Sequence, residues 1–240
     1  MKKFLNLSVQ DSKSLDVPLY KNALSLKQDA KYIAENRNSY SSATSLLVLS
    51  TEEAIKSILV FLHAENCNIY KIKDAKKFFS DHVMRHHIAM LIEVGLGIYE
   101  SYELYYNRKP TTLLKTKYNW LNTFLNGALD IVNSIDPFIK TEENVEYLQQ
   151  FNLIKNKGFY VDYQNGLIDP QTEVTIEDYK KALIILDRIM KFSKLIRILF
   201  HEKLVNHMGK QEIDRKRKII KNFIDEGLNV VDFKELRKNM

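Results

Sequence analysis

The scarcity of helix-breaking residues is the feature that most constrains the fold of this chain. Only 7 of its 240 residues are glycine and 4 are proline, and these two residue types interrupt helices more than any others. Apolar residues recur at helical spacing in several long segments, as Ala23, Leu24, Ala30 and Ile33 illustrate. A chain of this length can also bury a sizeable core. The sequence therefore predicts an all-α protein, a bundle of long helices.

Breaks and capping residues divide the chain into predicted helices. Pro18 marks the start of the first, and Ser41 or Ser42 caps the second, so the two form an antiparallel hairpin. Ser80 and Asp81 cap a third long helix. The predicted helices cover about residues 20–36, 42–65, 71–79, 82–106, 113–134, 142–155, 175–207 and 211–236.

One segment departs from the helical pattern. Residues 159–163 are aromatic and β-branched, and Asn165-Gly166 is a strong turn signal ahead of Leu167-Ile168. We predict a small β-hairpin or ordered loop there, an insert at about residues 158–172 packed on the bundle. The predicted organisation is a polar leader at 1–18, one helical domain at 19–208 and a basic helical extension at 209–240.

Charge and cysteine content limit the kinds of partner and the cellular compartment that fit this chain. The net charge of +6 leans basic, and much of the excess lies near the C-terminus, where a solvated basic helix is the first interpretation and RNA or phosphate contact the second. The single Cys67 fits a reducing compartment. No apolar stretch is long enough for a signal sequence or a membrane span. These features predict a cytoplasmic protein that does not enter the membrane.

A pair of adjacent glutamates is the first candidate for chemistry. Glu52 and Lys56 lie four residues apart and can form an exposed ion pair on a helix. The helical neighbours of Glu53 include Leu46 and Leu49, which places its carboxylate beside the apolar stripe, where it needs a partner. Glu53 either links helices through a buried pair or holds a catalytic histidine or a metal.

The predicted partner follows at the start of the third long helix. His82, Arg85 and His86 lie along one helical face near an N-terminus, where a cation and free backbone amides both attract phosphate. Histidine can also transfer protons near neutral pH, as cleavage of an RNA phosphodiester requires. A polar surface, or a buried histidine bonded to Glu53, is the structural alternative.

Cofactor and metal chemistry receive little support. His82 and His86 have the four-residue spacing of a helical metal site, but with no fixed third ligand beyond Glu52 or Glu53 a metal ranks behind an ion pair. The chain lacks a glycine-rich phosphate loop, a GxSxG elbow and a CxxC pair. No cofactor and no metal are therefore predicted.

Three segments taken in order resemble the AbiV family of abortive-infection proteins. They are the helix with Ser-Leu-Leu-Val-Leu-Ser-Thr-Glu-Glu-Ala-Ile-Lys at residues 45–56, the run His82-Val-Met-Arg85-His86, and Gly158-Phe-Tyr-Val-Asp-Tyr163 ahead of Pro170. The family shows an EExxK helix, an HxxKH-like segment and a G-[LF]-Y-V-D-Y loop, so Arg85 stands where a lysine is common. The resemblance spans about residues 20–204.

The resemblance implies a HEPN-like helical bundle, often dimeric, that shuts down translation when phage infects the cell. RNA or the ribosome, and a phage-encoded activator or target, are the implied partners. It also implies a site on this chain. The candidate catalytic residues are His82, Arg85, His86, Glu53 and Lys56, and the candidate binding residues are Glu52, Tyr160, Asp162, Tyr163, Arg197 and His201.

One departure leaves catalysis open. HEPN ribonucleases usually carry an arginine, four to six residues and then a histidine, whereas Arg197 and His201 have three residues between them. These two residues are expected to share a helical face and could act together. The alternative function is a non-catalytic interaction protein that binds a phage protein or the translation machinery.

Overall fold

The computed structural model describes residues 3–107, 135–163, 166–222 and 224–225, and it confirms the all-α prediction. The helices are α1 Asp16–Arg37, α2 Tyr40–Ala64, α3 Ala75–Phe78, α4 His82–Asn107, α5 Ile135–Gln149, α6 Phe151–Phe159, α7 Pro170–Glu173, α8 Ile176–Phe200 and α9 Lys210–Asn222. Short 3-10 turns lie at Phe4–Asn6, Ile69–Lys71 and Glu202–Asn206. The helix predicted at 113–134 lies outside the described residues.

Helix α2 is the centre of the bundle, and it packs against α1, α4, α6 and α8. Its hairpin with α1 turns at Asn38, which adopts a left-handed conformation (φ 49°) that asparagine tolerates better than most residues. Small side chains let the two helices approach closely, since Ala23 is fully buried and its carbonyl accepts a 2.6 Å hydrogen bond from Ser50 Oγ. Residues from α1, α2, α4, α5, α6 and α8 share one apolar core.

Two of the long helices end where the sequence analysis did not place them. The bounds predicted for the helix at about 142–155 are wrong, because α5 runs from Ile135 to Gln149 and a separate helix, α6, begins at Phe151. Helix α8 begins with a capping box formed by Thr175 and Asp178, but it ends at Phe200 rather than near 207. His201 is extended, and its ring accepts a 3.1 Å hydrogen bond from the Lys203 backbone N–H, which starts a 3-10 turn instead.

The predicted β-hairpin is confirmed. Strand β1 (Asp162–Tyr163) pairs antiparallel with β2 (Leu167–Ile168), with Tyr163 opposite Leu167. Directly afterwards, the Asp169 side chain caps α7 by accepting a 3.0 Å bond from the Gln171 backbone. The hairpin therefore continues from the end of α6 and returns to the bundle through α7.

Segments near both ends of the described part of the chain contact the bundle. The Phe4 ring stacks on Phe79 with centroids 5.1 Å apart, and Arg217 of α9 donates a 2.9 Å hydrogen bond to the Leu199 carbonyl. Within the described part of the chain, no helix is both long and apolar enough to cross a lipid bilayer.

Candidate functional site

Glu52 places a buried carboxylate inside the bundle. Its side chain is 3% exposed, because its helical neighbours Val48, Ile55 and Leu59 all belong to the core. The prediction that Glu53 faces the core is therefore wrong by one residue. Its neighbours Leu46 and Leu49 are only half-buried, so the apolar stripe of α2 runs one position away from the predicted phase.

The adjacent glutamate makes the surface pair. Glu53 forms an ion pair with Lys56 one turn further along α2, with side chains 17% and 21% exposed. The ion pair predicted between Glu52 and Lys56 is therefore wrong, because Lys56 pairs with Glu53 instead. Within the described residues, Glu53 and Lys56 contact each other and not the histidines of α4. Their part in orienting a catalytic group stays a prediction.

Four basic side chains converge on Glu52. Arg85 Nη2 lies 2.8 Å from Oε2, and His82 Nδ1 contacts the same oxygen. His86 Nε2 and Lys155 Nζ each lie 3.2 Å from Oε1. We call Glu52, His82, Arg85, His86 and Lys155 the Glu52 cluster; it joins α2 to α4 and α6.

Helix α4 supplies three members of the cluster from its first turns. The predicted N-terminal cap is confirmed, since Asp81 Oδ1 accepts a 2.9 Å hydrogen bond from the Val83 backbone. Spacings of three and four residues place His82, Arg85 and His86 on one face, as expected. That face turns towards α2, because all three side chains contact Glu52.

Lys155 is a member of the cluster that was not predicted from the sequence. This lysine is 8% exposed and lies on α6 between the buried residues Phe151, Ile154 and Gly158. A lysine surrounded at helical spacing by apolar neighbours needs a carboxylate partner if it is buried. That pattern is the signal that could have identified Lys155 as a member of the site.

A close approach of two backbones brings Lys155 to Glu52. A Cβ on Gly158 would lie 2.2 Å from Ser45 Oγ and 2.6 Å from the Ser41 carbonyl oxygen. Ser45 Oγ also donates a 3.0 Å hydrogen bond to the Lys155 carbonyl. The glycine of the G-F-Y-V-D-Y segment thus allows α6 to lie directly against the start of α2.

The contacts define the tautomer of His82. An ionised carboxylate only accepts hydrogen bonds, so Nδ1 must carry the proton that faces Glu52. Arg85 Nη2 lies 2.8 Å from this nitrogen, because both groups donate to the same carboxylate oxygen. The side chain of His82 is 51% exposed, and its Nε2 has no partner among the described residues. His82 is the member of the cluster that is open to solvent.

The cluster holds Glu52 ionised and His86 neutral. Burial on its own raises the pKa of Glu52, but hydrogen bonds from His86 and Arg85, together with the charge of Arg85, outweigh it and hold the pKa far below the ordinary range. Burial lowers the pKa of His86, more than Glu52 raises it. His86 Nδ1 is buried without a hydrogen-bond partner in the described part of the chain, which fits a neutral ring.

Arg85 and His86 are closed off from solvent. The side chain of Arg85 is 3% exposed and that of His86 is 0% exposed. Arg85 is also committed to Glu52 and, through Nη1, to the Phe78 carbonyl at 3.3 Å. The predicted His-Arg-His face therefore presents one ring, His82, to the surface, and Arg85 as placed does not reach a ligand there.

The remaining candidate residues lie outside the cluster. Tyr160 and Tyr163 of the hairpin are 65% and 74% exposed, and Asp162 accepts a 2.7 Å hydrogen bond from the Tyr163 backbone. The expected shared face of Arg197 and His201 is wrong, because α8 ends between them at Phe200.

Arg197 instead supports the joint between α1, α2 and α8. It pairs with the buried Asp16, donates a 2.8 Å bond to Ser57 Oγ, and lies over the rings of Tyr20 and Phe61 at 5.3 and 4.9 Å. Within the described ranges, no group of three or more His, Cys, Asp or Glu side chains is arranged to hold a metal ion.

Comparisons with known proteins place this arrangement in a family. Searches of the curated proteins and of the solved structures returned no match. A comparison with protein families matches residues 13–191 to the HEPN_AbiV family, described as AbiV. The matched range includes every member of the Glu52 cluster and the hairpin, and it covers well over half of the chain. The chain belongs to the AbiV family.

Proposed function

We propose that this protein is an abortive-infection effector that stops translation in the infected cell by acting on RNA, with His82 as the group that moves a proton. Membership of the AbiV family suggests abortive-infection defence. The observation that carries the rest is the half-exposed His82 ring, anchored at Nδ1 by the buried Glu52. A carboxylate that orients one imidazole nitrogen leaves the other available as an acid or base.

Charge supports a phosphate ligand. The Glu52 cluster sets the cations of Arg85 and Lys155 against a single carboxylate, so it carries a surplus positive charge in a poorly screened setting. This field favours an anion beside His82. Arg85 and Lys155 would act at a distance, by holding Glu52 and by attracting the phosphate, while His82 alone touches it.

The proposal is tested by inducing the protein in phage-infected bacteria and following labelled methionine incorporation. We expect His82→Gln to abolish the arrest, since glutamine retains a polar side chain but cannot transfer a proton. His207→Gln is the matched control, because His207 is also exposed and lies outside the family match. Equal arrest by the wild type and His82→Gln would refute the role of His82.

A second function has an observation of its own. Arg85 and His86 are as buried as core residues, which is what a purely structural ion cluster requires. On this account the bundle is a non-catalytic interaction protein that binds a phage protein or the translation machinery. It predicts that arrest survives in His82→Gln, and that purified protein leaves total and transfer RNA intact with or without phage lysate.

We further propose that the protein acts as a homodimer through its hairpin. Tyr160, Val161, Tyr163 and Leu167 are 65–74% exposed, and exposed aromatic and aliphatic side chains next to each other favour an interface. Sedimentation of the wild type should give the mass of a dimer, and Tyr163→Asp with Leu167→Asp should give a monomer. A monomeric wild type at micromolar concentration would contradict this assembly.

A further inference from the structure

Helix α9 carries most of the net positive charge of the chain. Its 13 residues include six lysines or arginines and two acids, a net charge of +4 out of +6 for all 240 residues. It lies beyond residue 191, where the family match ends. The charge is therefore a local feature of this appendage rather than a property of the whole surface.

The helix is fixed to the bundle by one face, which we call the inner stripe. Ile213 is 1% exposed, Ile220 packs against the core, and Ile224, just beyond the helix end, is 3% exposed. Arg217 lies on the same stripe, donates to the Leu199 carbonyl at 2.9 Å and stacks over Phe200 at 5.4 Å. These contacts set the rotation of α9 about its axis.

The opposite face, the outer stripe, has no acidic residue. It consists of Gln211, Arg215, Lys218 and Asn222, which follow one another at spacings of four, three and four residues and are all exposed. Both cations and both amides are side chains that commonly donate to nucleic-acid phosphates. Two acids flank the stripe: Glu212 is paired with Lys216 at 3.2 Å, and Asp214 lies directly before Arg215.

We infer that the outer stripe of α9 binds the phosphate backbone of RNA. A rigidly docked helix of this length presents about 20 Å of positively charged surface, and charge complementarity to a polyanion is what such a stripe offers. Backbone contact of this kind is independent of sequence and would hold an RNA on the protein without performing chemistry on it.

The biological meaning of this surface rests on the proposed action on RNA, but the site is separate from the Glu52 cluster. The proposed role of His82 and the proposed RNA binding by α9 can therefore be refuted separately. Replacing Arg215 and Lys218 should reduce the salt dependence of RNA binding by the same amount in the wild type and in His82→Gln, whether or not His82→Gln arrests translation. If His82→Gln still arrests translation, the proposed function fails while the RNA-binding result stands.

The test is the salt dependence of binding to a short single-stranded oligouridylate. For the wild type, the affinity should fall steeply between about 50 and 200 mM salt. Replacing Arg215 and Lys218 by glutamine should weaken binding several-fold and reduce the slope of log K against log salt by about 1.4, the release expected for two phosphate contacts to a single strand.

The matched control replaces Lys191 and Lys194, two exposed cations of α8, by glutamine and should leave the slope unchanged. An unchanged slope for the Arg215 and Lys218 variant would overturn the inference, as would an equal loss for the control. Binding to vesicles of anionic lipid with no measurable binding to RNA would overturn it too, since it would assign the stripe to a membrane surface.

Discussion

Helix α4 takes part in two charged clusters that are built in opposite ways. Near its start, the Glu52 cluster gathers two cations and two histidines around one carboxylate. Further along, Arg188 Nε lies 2.8 Å from the fully buried Glu93, and its Nη1 lies 3.0 Å from Glu100, while Asn144 donates to Glu93 at 3.3 Å. We call these four residues the Glu93 cluster.

The difference lies in the sign of the unpaired charge. The Glu52 cluster has more cations than carboxylates. The Glu93 cluster has two carboxylates for one arginine. Burial raises the pKa of Glu93 more than Arg188 lowers it, whereas the pKa of Glu52 is held low by its partners. A surplus of positive charge beside an exposed histidine suits an RNA phosphate. A surplus of negative charge repels it, and we interpret the Glu93 cluster as a joint between α4, α5 and α8.

The largest expected effect is the loss of the Glu52 charge. Glu52→Gln should lower the free energy of unfolding by about 3–5 kcal/mol, because Arg85 and Lys155 stay buried without an anion. Glu53→Gln is the matched control on the next residue, and it should cost no more than about 0.5 kcal/mol, since it breaks a partly exposed helical pair. Urea unfolding of the two variants measures both values, and similar losses would contradict the assignment.

The close approach that positions Lys155 can be disturbed through a glycine. Gly158→Ala should cost about 1–3 kcal/mol, because the new methyl group meets the Ser41 backbone and the helix must shift. Gly95→Ala on α4 is the opposite case. A Cβ there meets nothing within 4 Å, so alanine should stabilise the helix by about 0.5–1 kcal/mol. Thermal unfolding compares them, and a neutral Gly158→Ala would show that α6 has room to move.

Lowering the pH should change the contributions of Glu52 and Glu93 to the stability of the fold in opposite directions. The folded-state pKa of Glu52 lies below its ordinary value of 4.5, so its stabilisation is present above pH 4.5 and is lost as the pH falls below it. The folded-state pKa of Glu93 is raised above 4.5, so its contribution is complete below pH 4.5 and is lost as the pH rises through the folded value.

Urea unfolding at a series of pH values tests this difference. The stability gap between the wild type and Glu52→Gln should narrow below pH 4.5. As the pH is lowered towards 4.5, the free energy of unfolding of the wild type should rise relative to that of Glu93→Gln. Parallel pH profiles for the two gaps would mean that the clusters are not electrostatic opposites.

Only a small effect on stability is expected for His82. Because its side chain is half exposed, His82→Gln should change the free energy of unfolding by less than about 1 kcal/mol, although it is expected to abolish translation arrest. A loss as large as that of Glu52→Gln, measured by the same urea unfolding, would make His82 a structural residue.

Local patterns were sufficient to predict much of this molecule. Breaker scarcity and capping residues predicted the helices and the start of α4, and helical spacing predicted that His82, Arg85 and His86 share a face. The turn at Gly166 and its β-branched flanks predicted the hairpin. In each case the relevant interaction lies within a few residues along the chain.

The rest depended on contacts between distant segments. Glu52 and Glu53 differ by one helical position, and the packing of α4 and α6 on α2 decides which of them faces the core. Lys155 meets Glu52 across 103 residues, which no local pattern encodes. Arg197 and His201 have helical spacing, but the capping of the next turn by His201 ends the helix between them.

The central claim is that Glu52 holds His82 with its proton on Nδ1 and leaves Nε2 free to move a proton. Nitrogen NMR of histidine-labelled protein, with His82 assigned by its loss in His82→Gln, reads the tautomer directly once the ring is neutral. The account predicts a protonated Nδ1 and an unprotonated Nε2 for His82. A proton on Nε2 instead would contradict it, because the ring could not then donate to Glu52.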